Sequence, residues 1–208
     1  KLKCVIKGDQ KIPEISAASI IANKGKVNQP RMLKSVDGEP YDQVITSKIP
    51  DVFLKDPDYW RYIEEAMTMV VPSPFSDQFR DYGTAYEAIA MTDRDMSYKM
   101  AGKSGSAQVV GISQDILSST DIVVSDLNKD HGLFISFAPA QNPHLAPQIA
   151  VAVFVENGEH GSSVAGPIAK AVTDKYLLDI LQIDFNSLND SPAPAQPVKR
   201  PLITSSDE

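Results

Sequence analysis

The feature that most constrains the fold is a nearly continuous apolar run at residues 148–157, QIAVAVFVEN. Its β-branched content and short length are typical of an inner strand with both faces covered. The segment before it, GLFISFAPA at residues 132–140, alternates so that Leu133, Ile135 and Phe137 share one buried face. Because only the turn QNPHLAP separates the two segments, we expect an antiparallel pair.

A third strand is predicted upstream, in YKMAGKSGSAQVV at residues 98–110. Its second half carries small side chains, which leave room for a ligand or another backbone to lie alongside. The polar residues 111–131 indicate an insertion between strands. Three consecutive strands therefore predict one antiparallel sheet.

Helical patterns flank these strands. Residues 13–25 predict a helix that begins at Pro13 and stops at Gly25. Short extended pieces around a turn at Asp37 and Gly38 should follow. A second helix is predicted after Asp56, as its cap, and Pro57, as its first residue.

A terminal helix is predicted at residues 164–182, capped by Ser162 or Ser163 and packed on one face of the sheet. The fold class is thus α+β, an antiparallel sheet flanked by helices. We expect residues 1–185 to form one folded unit. Residues 186–208 are rich in proline and polar side chains, which predicts a flexible tail.

Composition excludes several functions. The net charge of -7 argues against nucleic acid as the main partner, because phosphate binding needs a basic face. The single cysteine, Cys4, cannot form an internal disulfide. No run of about 18 apolar residues and no signal peptide occur. The chain starts without a methionine, so we expect a segment of something longer.

The most reactive-looking stretch is Lys-Ser-Gly-Ser at residues 103–106. As a tripeptide, Lys-Ser-Gly is common, and on its own a plain strand entering a turn is the better interpretation. In a strand, however, Ser104 and Ser106 share one face. Two hydroxyls near the cation of Lys103 suit a carboxylate, and the N–H of Ser106 suits a developing oxyanion.

Four separate segments resemble the class B penicillin-binding proteins, particularly those acting in cell elongation. They are KSGSAQV, HGLFISFAP, IAVAVFVENG and GSSVAGPIAKAVTDKYL, in the family order and spacing. EISAASIIANKGKVNQPRML resembles a further family segment, so the likeness covers about residues 13–181. It implies a partial penicilloyl-serine transferase fold.

The resemblance also assigns roles. Lys103, Ser104, Gly105 and Ser106 would be catalytic residues, and Ser104, Ser106 and Ala107 would bind substrate. That substrate would be a peptidoglycan stem peptide ending in D-Ala-D-Ala, and β-lactams would compete for the site.

The resemblance implies membrane proteins of the elongation complex as partners, and no metal or organic cofactor. It places the protein on the periplasmic face of the inner membrane, anchored by an N-terminal helix absent from this chain.

Two family motifs are missing. The chain contains no Ser-x-x-Lys, which in the family supplies the serine nucleophile. Its Ser-x-Asn, at Ser187 and Asn189, follows the Lys-Ser-Gly strand instead of preceding it and is interpreted as chance. The isolated 208-residue segment is therefore predicted to be inactive, with the nucleophile upstream in a longer parent.

Other interpretations remain open. The chain could be a non-catalytic scaffold or binding protein that kept the fold, or a fragment of a serine β-lactamase. A metal site from His131, His144 and His160 is disfavoured, because no acidic or cysteine partner stands at ligand spacing. The pair Glu64 and Glu65 indicates a solvated helix face.

The charged turn at Asp93, Arg94 and Asp95 is predicted to be a solvated loop, although it could affect entry to the Lys-Ser-Gly strand.

Overall fold

The computed structural model describes residues 13–27, 35–36, 39–40, 50–71, 83–90, 97–109 and 129–190. Its helices are α1 (Pro13–Ala22), α2 (Tyr59–Thr68), α3 (Gly161–Asp174) and α4 (Phe185–Asn189), with π-helical segments at Tyr86–Ala90 and Lys175–Ile180. Its strands are β1 (Ser35–Val36), β2 (Glu39–Pro40), β3 (Ala101–Ala107), β4 (His131–Ala138) and β5 (Ile149–Val155). No helix among these residues is long and apolar enough to cross a membrane.

The central sheet has the order β3-β4-β5, and both pairs are antiparallel. This confirms the predicted three-stranded antiparallel sheet. β1 and β2 form a separate antiparallel pair on either side of the predicted turn. In the part of the chain that the structure describes, β4 is the central strand, not β5 as the apolar run predicted.

Helices cover both faces of this sheet. On one face α3 places Ala165 and Ala169 against Phe134 and Val153, all buried. On the opposite face Met67 of α2 joins other residues in a smaller core: Ala101, Phe137 and Ala140, with Ile21 and Ala22 of α1 packed against them. β5 contacts α3 on one face and α1 on the other, although Phe154 near its end is 54% exposed.

The same arrangement corrects the prediction that β4 has one buried face. Phe137 on the predicted face is buried as predicted, but Leu133 and Ile135 beside it are only half-buried, whereas Phe134 and Ser136 on the other face are fully buried beneath α3. An alternating pattern assumes that the second face meets water, and here a helix covers that face.

Helix ends follow local hydrogen bonding. Gly25 adopts φ +96° after α1, and its N–H bonds to the carbonyl of Ile20, which confirms it as a C-terminal stop. α2 begins at Tyr59, later than predicted, because the Asp56 carboxylate accepts the N–H of Asp58 and forms a turn before the helix.

The terminal helix also begins differently from the prediction. The cap position of α3 is His160, without a side-chain cap, so neither Ser162 nor Ser163 caps the helix. Both serines lie in the first turn, and the Ser163 hydroxyl donates to the His160 carbonyl over 3.1 Å.

α4 crosses the predicted boundary between residues 185 and 186. Its Asp184 cap accepts the N–H groups of Asn186 and Ser187, and Phe185 is buried. Residues 191–208 of the predicted tail lie outside the described residues.

Candidate active site

Strand β3 displays the candidate residues on two different faces. Ser104 lies opposite Phe134 and Ser106 opposite Gly132, on the face that α3 covers. Lys103 lies opposite Ile135, on the face that carries α2. The cation and the two hydroxyls therefore lie on opposite faces of one strand, although they were predicted to lie side by side.

Lys103 is exposed, and its ammonium group donates to the main-chain carbonyl of the next residue, Ser104. Gly105 and Ala107 share its face and are half-buried. Among the described residues β3 pairs only with β4, so its other side is an edge. An edge strand with small side chains offers main-chain groups to an extended ligand.

Ser104 and Ser106 line a surface cleft of about 320 Å³. The cleft lies between β3, the start of α3 and a short segment before the first π-helical turn. Its lining residues are Thr84, Ser104, Gly105, Ser106, His160, Gly161 and Ser162. The structure therefore brings both predicted serines together with residues that are far away in the sequence.

Both serine hydroxyls already have neighbours. The oxygens of Ser104 and Thr84 are 3.3 Å apart, and either can donate. The Ser106 hydroxyl donates to the Glu159 carbonyl over 2.8 Å. Each hydroxyl has a single proton, so Ser106 must leave Glu159 before it can donate to a ligand. If Thr84 donates to Ser104, the Ser104 proton stays free.

Thr84 was missed by sequence reasoning, although the structure fixes it firmly. The next residue, Ala85, is fully buried, and its N–H bonds to the Val70 carbonyl over 3.0 Å. Ile89, one turn on, is also fully buried. The available signal was a polar residue, Thr84, followed by apolar residues at helical spacing. That signal does not indicate that Thr84 lies next to β3.

The start of α3 approaches the sheet unusually closely at Gly161. A Cβ atom there would collide with the carbonyl oxygens of Leu133 and Gly105. Only glycine allows this approach, which brings the first turn of α3 onto the β3–β4 pair.

A tight turn after β5 positions the Glu159 carbonyl, which accepts the hydrogen bond from Ser106. Asn157 and Glu159 both have positive φ, +57° and +58°. The Asn157 N–H donates to Nδ1 of His131 over 3.0 Å, and the Glu159 N–H donates to the Asp130 carbonyl over 2.8 Å. Lys129 pairs with the Glu159 carboxylate at 3.6 Å. These bonds fix the backbone of the turn.

The remaining candidates show no second site in the part of the chain that the structure describes. It holds no group of three or more metal-ligating side chains there. Glu64 accepts the Gln141 N–H over 2.8 Å, which gives it a structural partner. The predicted charged turn at residues 93–95 and Cys4 lie outside the described residues, as does nearly all of the predicted insertion.

Comparison with known proteins decides the family. The sequence model of the penicillin-binding protein transpeptidase domain matches residues 12–174. The chain belongs to this family. The resemblance drawn from the sequence segments is thereby confirmed.

Individual relatives agree with this penicillin-binding protein assignment. The chain is 35% identical to peptidoglycan D,D-transpeptidase MrdA of Haemophilus influenzae over 164 residues, which are 77% of this chain and 22% of that protein. A crystal structure of Pseudomonas aeruginosa PBP2 in complex with WCK 5153 shares 39% identity, with a TM-score of 0.57 over 78% of this chain and 29% of that one.

The transpeptidase domain of Burkholderia pseudomallei penicillin-binding protein 3 aligns with a TM-score of 0.51 at 23% identity, over 83% of this chain and 42% of that one, and supports the fold. The predicted fold class, a partial domain of the penicilloyl-serine transferase fold, is confirmed. The chain spans about a fifth of the length of the Haemophilus relative.

Proposed function

We propose that this chain is the Lys-Ser-Gly portion of a peptidoglycan D,D-transpeptidase that cross-links stem peptides during cell elongation. The observation that carries the proposal is the cleft in which Ser104 and Ser106 share one wall, on a strand that is at the edge of the sheet in the described part of the chain. Family membership and the similarity to MrdA support the reaction class. A serine nucleophile and a Ser-x-Asn motif would come from elsewhere in a longer protein.

In the proposed reaction the nucleophilic serine attacks the carbonyl carbon of the penultimate D-Ala. An ester forms, the peptide bond breaks, and terminal D-Ala leaves with a proton. A neighbouring amine then attacks the ester carbonyl, forms the cross-linking amide and returns a proton to the serine. β-lactams would acylate the same serine. No metal or organic cofactor enters these steps.

The chain's own residues would act on the substrate at its acid end. Ser104 and Ser106 would donate to the carboxylate, with Ala107 alongside the bound peptide. Gly105 keeps the strand surface low so that the peptide can lie against it. The N–H of Ser106 would supply half of an oxyanion hole, and removal of one such donor typically lowers the rate about 10²–10³-fold.

Lys103 would provide positive charge on the other face of β3, towards the missing nucleophile. Among the described residues its ammonium donates to a neighbouring carbonyl, and the side chain is exposed, so a group that arrives from solvent can reach it. We further propose that the working protein lies at the periplasmic face of the inner membrane and binds membrane proteins of the elongation complex.

The test is covalent labelling with a fluorescent penicillin. The protein expressed from its complete gene should be labelled at one serine, whereas the isolated 208-residue chain should not. Ser104→Ala and Lys103→Ala should each reduce labelling of the complete protein at least about tenfold. Absence of labelling in the complete protein would contradict the proposal and favour a scaffold that only retains the fold.

Matched controls exist in the same chain. Ser163→Ala removes a hydroxyl of the first turn of α3 that does not line the cleft. Lys175→Ala removes an exposed ammonium that pairs with Asp179. Both should be labelled at the wild-type rate.

A further inference from the structure

An ion pair with a buried lysine lies near the end of α3, whereas the cleft lies at its start. Lys170 is only 6% exposed, and its ammonium group is 2.6 Å from both carboxylate oxygens of Asp174, one helical turn later. A buried ammonium is costly unless its charge and its N–H groups are matched. Such a pair is weak support for stability, which raises the question of what else it does.

Tyr98 joins this pair from another part of the chain. Its hydroxyl donates to Oδ1 of Asp174 over 2.7 Å, and the Lys170 ammonium lies 5.3 Å from the centre of its ring. Tyr98 also makes an apolar contact, because the centre of its ring lies 5.2 Å from the centre of the Phe185 ring. Tyr98 is itself only 5% exposed.

Tyr98 stands three residues before β3 begins, so this contact fixes the approach to the strand. Hydrogen bonds to the residues on either side of Tyr98 fix the same segment of the chain. The carbonyl of Ser97 accepts from the Asn189 side chain over 3.3 Å, and the carbonyl of Lys99 accepts the Ala140 N–H over 2.8 Å.

The other end of β3 is held by the Ser106 hydroxyl on Glu159, just before α3 starts. Helix and strand thus run antiparallel, with Tyr98 on Asp174 at one end and Ser106 on Glu159 at the other. The eight steps along the chain from Tyr98 to Ser106 span about 26 Å when fully extended. The fourteen residues of α3 span about 21 Å, so the two contacts lie near opposite ends of the helix.

We propose that Tyr98, Lys170 and Asp174 are positioning residues that fix β3 lengthwise against α3. They thereby hold the Ser104 and Ser106 hydroxyls in the cleft. A shift of one residue along the strand would move side chains to the opposite face and break the contacts at both ends. The role in catalysis rests on the proposed transpeptidase function, whereas the fixing of β3 does not.

The test uses Tyr98→Phe in the protein expressed from its complete gene. This variant keeps the ring and removes only the hydroxyl, so it should fold. The matched control is Tyr176→Phe, a half-buried tyrosine whose ring packs against the same core. Amide hydrogen exchange in a peptide covering residues 101–107 should become at least about fivefold faster in Tyr98→Phe and stay unchanged in the control.

The second measurement is the rate of β-lactam acylation well below the thermal midpoint. It should fall about tenfold in Tyr98→Phe, because small errors of placement are costly in an active site. A merely structural residue would lower the midpoint and leave this rate unchanged. Since the hydroxyl acts through Asp174, Tyr98→Phe combined with Asp174→Asn should lose no more than Asp174→Asn alone.

Unchanged exchange in residues 101–107 would overturn the proposal, and so would faster exchange with a wild-type acylation rate. These failures differ from failure of the proposed function, in which the wild-type protein itself takes up no penicillin. In that case the exchange measurement alone decides whether Tyr98 fixes β3.

Discussion

The hydroxyl of Ser106 donates to the main-chain carbonyl of Glu159 across 2.8 Å, although 53 residues separate them in the chain. The contact joins the candidate carboxylate-binding strand to the turn from which α3 begins. A ligand that needs the Ser106 proton must displace this acceptor. Binding at the cleft is therefore linked to the conformation of the turn.

Replacement of Ser106 tests this competition. Ser106→Ala should lower the acylation rate of the complete protein at least about tenfold, because one donor to the ligand carboxylate is lost. Ser106→Thr keeps the hydroxyl and should stay within about threefold of wild type. Stopped-flow measurement of acylation distinguishes the two, and an alanine variant as fast as the threonine variant would remove Ser106 from carboxylate binding.

Thr84 should matter through its hydroxyl. Thr84→Val has almost the same shape but cannot donate to Ser104, so we expect the affinity for β-lactam to fall about threefold to tenfold. Thr84→Ser should retain the wild-type affinity. Equal affinity in the valine and serine variants would show that the neighbouring hydroxyl is irrelevant to Ser104.

Gly161→Ala should force the start of α3 away from the sheet, since the new methyl group meets two carbonyl oxygens. We expect a loss of about 1–3 kcal/mol in the free energy of unfolding, the usual effect of overpacking. Urea unfolding measures it, with Ser163→Ala in the same turn as the control. An alanine variant as stable as the control would mean that α3 shifts without penalty.

Ser136→Ala should leave stability unchanged or raise it by about 1 kcal/mol. The Ser136 hydroxyl is fully buried in β4 and has no hydrogen-bond partner within the described part of the structure. Removal of an unsatisfied buried hydroxyl removes its desolvation cost. Thr173→Val is the matched contrast, because the buried Thr173 hydroxyl donates to the Ala169 carbonyl over 2.8 Å. This variant loses a hydrogen bond and should not stabilise the protein. Urea unfolding compares the two, and a clear loss in Ser136→Ala would reveal a partner for that hydroxyl.

Two ion pairs with the same helical spacing provide a comparison of burial. Lys170→Met leaves Asp174, whose side chain is 28% exposed, without its cation and should cost up to about 3 kcal/mol. Lys175→Met breaks the pair with Asp179, which is more than half exposed, and should cost no more than about 0.5 kcal/mol. Equal losses in thermal unfolding would show that burial of Lys170 adds nothing.

The sheet and its helices could be predicted because their signals are local. Each signal lies within one short segment of the chain. The signals are the alternation before residue 140, the apolar run after residue 148 and the glycine at position 25. The same patterns say nothing about what covers each face, so the burial of Phe134 and Ser136 was missed. The order of strands also depends on pairing partners that no single segment specifies.

The candidate site was predictable only where it lies on β3. Ser104 and Ser106 share a face because strand side chains alternate, and this holds in the structure. Thr84, His160 and Gly161 reach the cleft through the packing of separate elements, which depends on contacts between distant residues. The placement of Lys103 on the opposite face follows from the same alternation, once the strand is assigned.

The acceptor for Ser106 has a consequence for how this site can vary during evolution. Because Glu159 contributes its main-chain oxygen, every amino acid at position 159 presents the same atom, and no side-chain replacement can delete it. On the acceptor's side of the contact, variants must instead change the shape or length of the turn, for example through residues 156–160. Insertions, deletions and proline substitutions there can retune the competition for the Ser106 proton while the serine itself is kept.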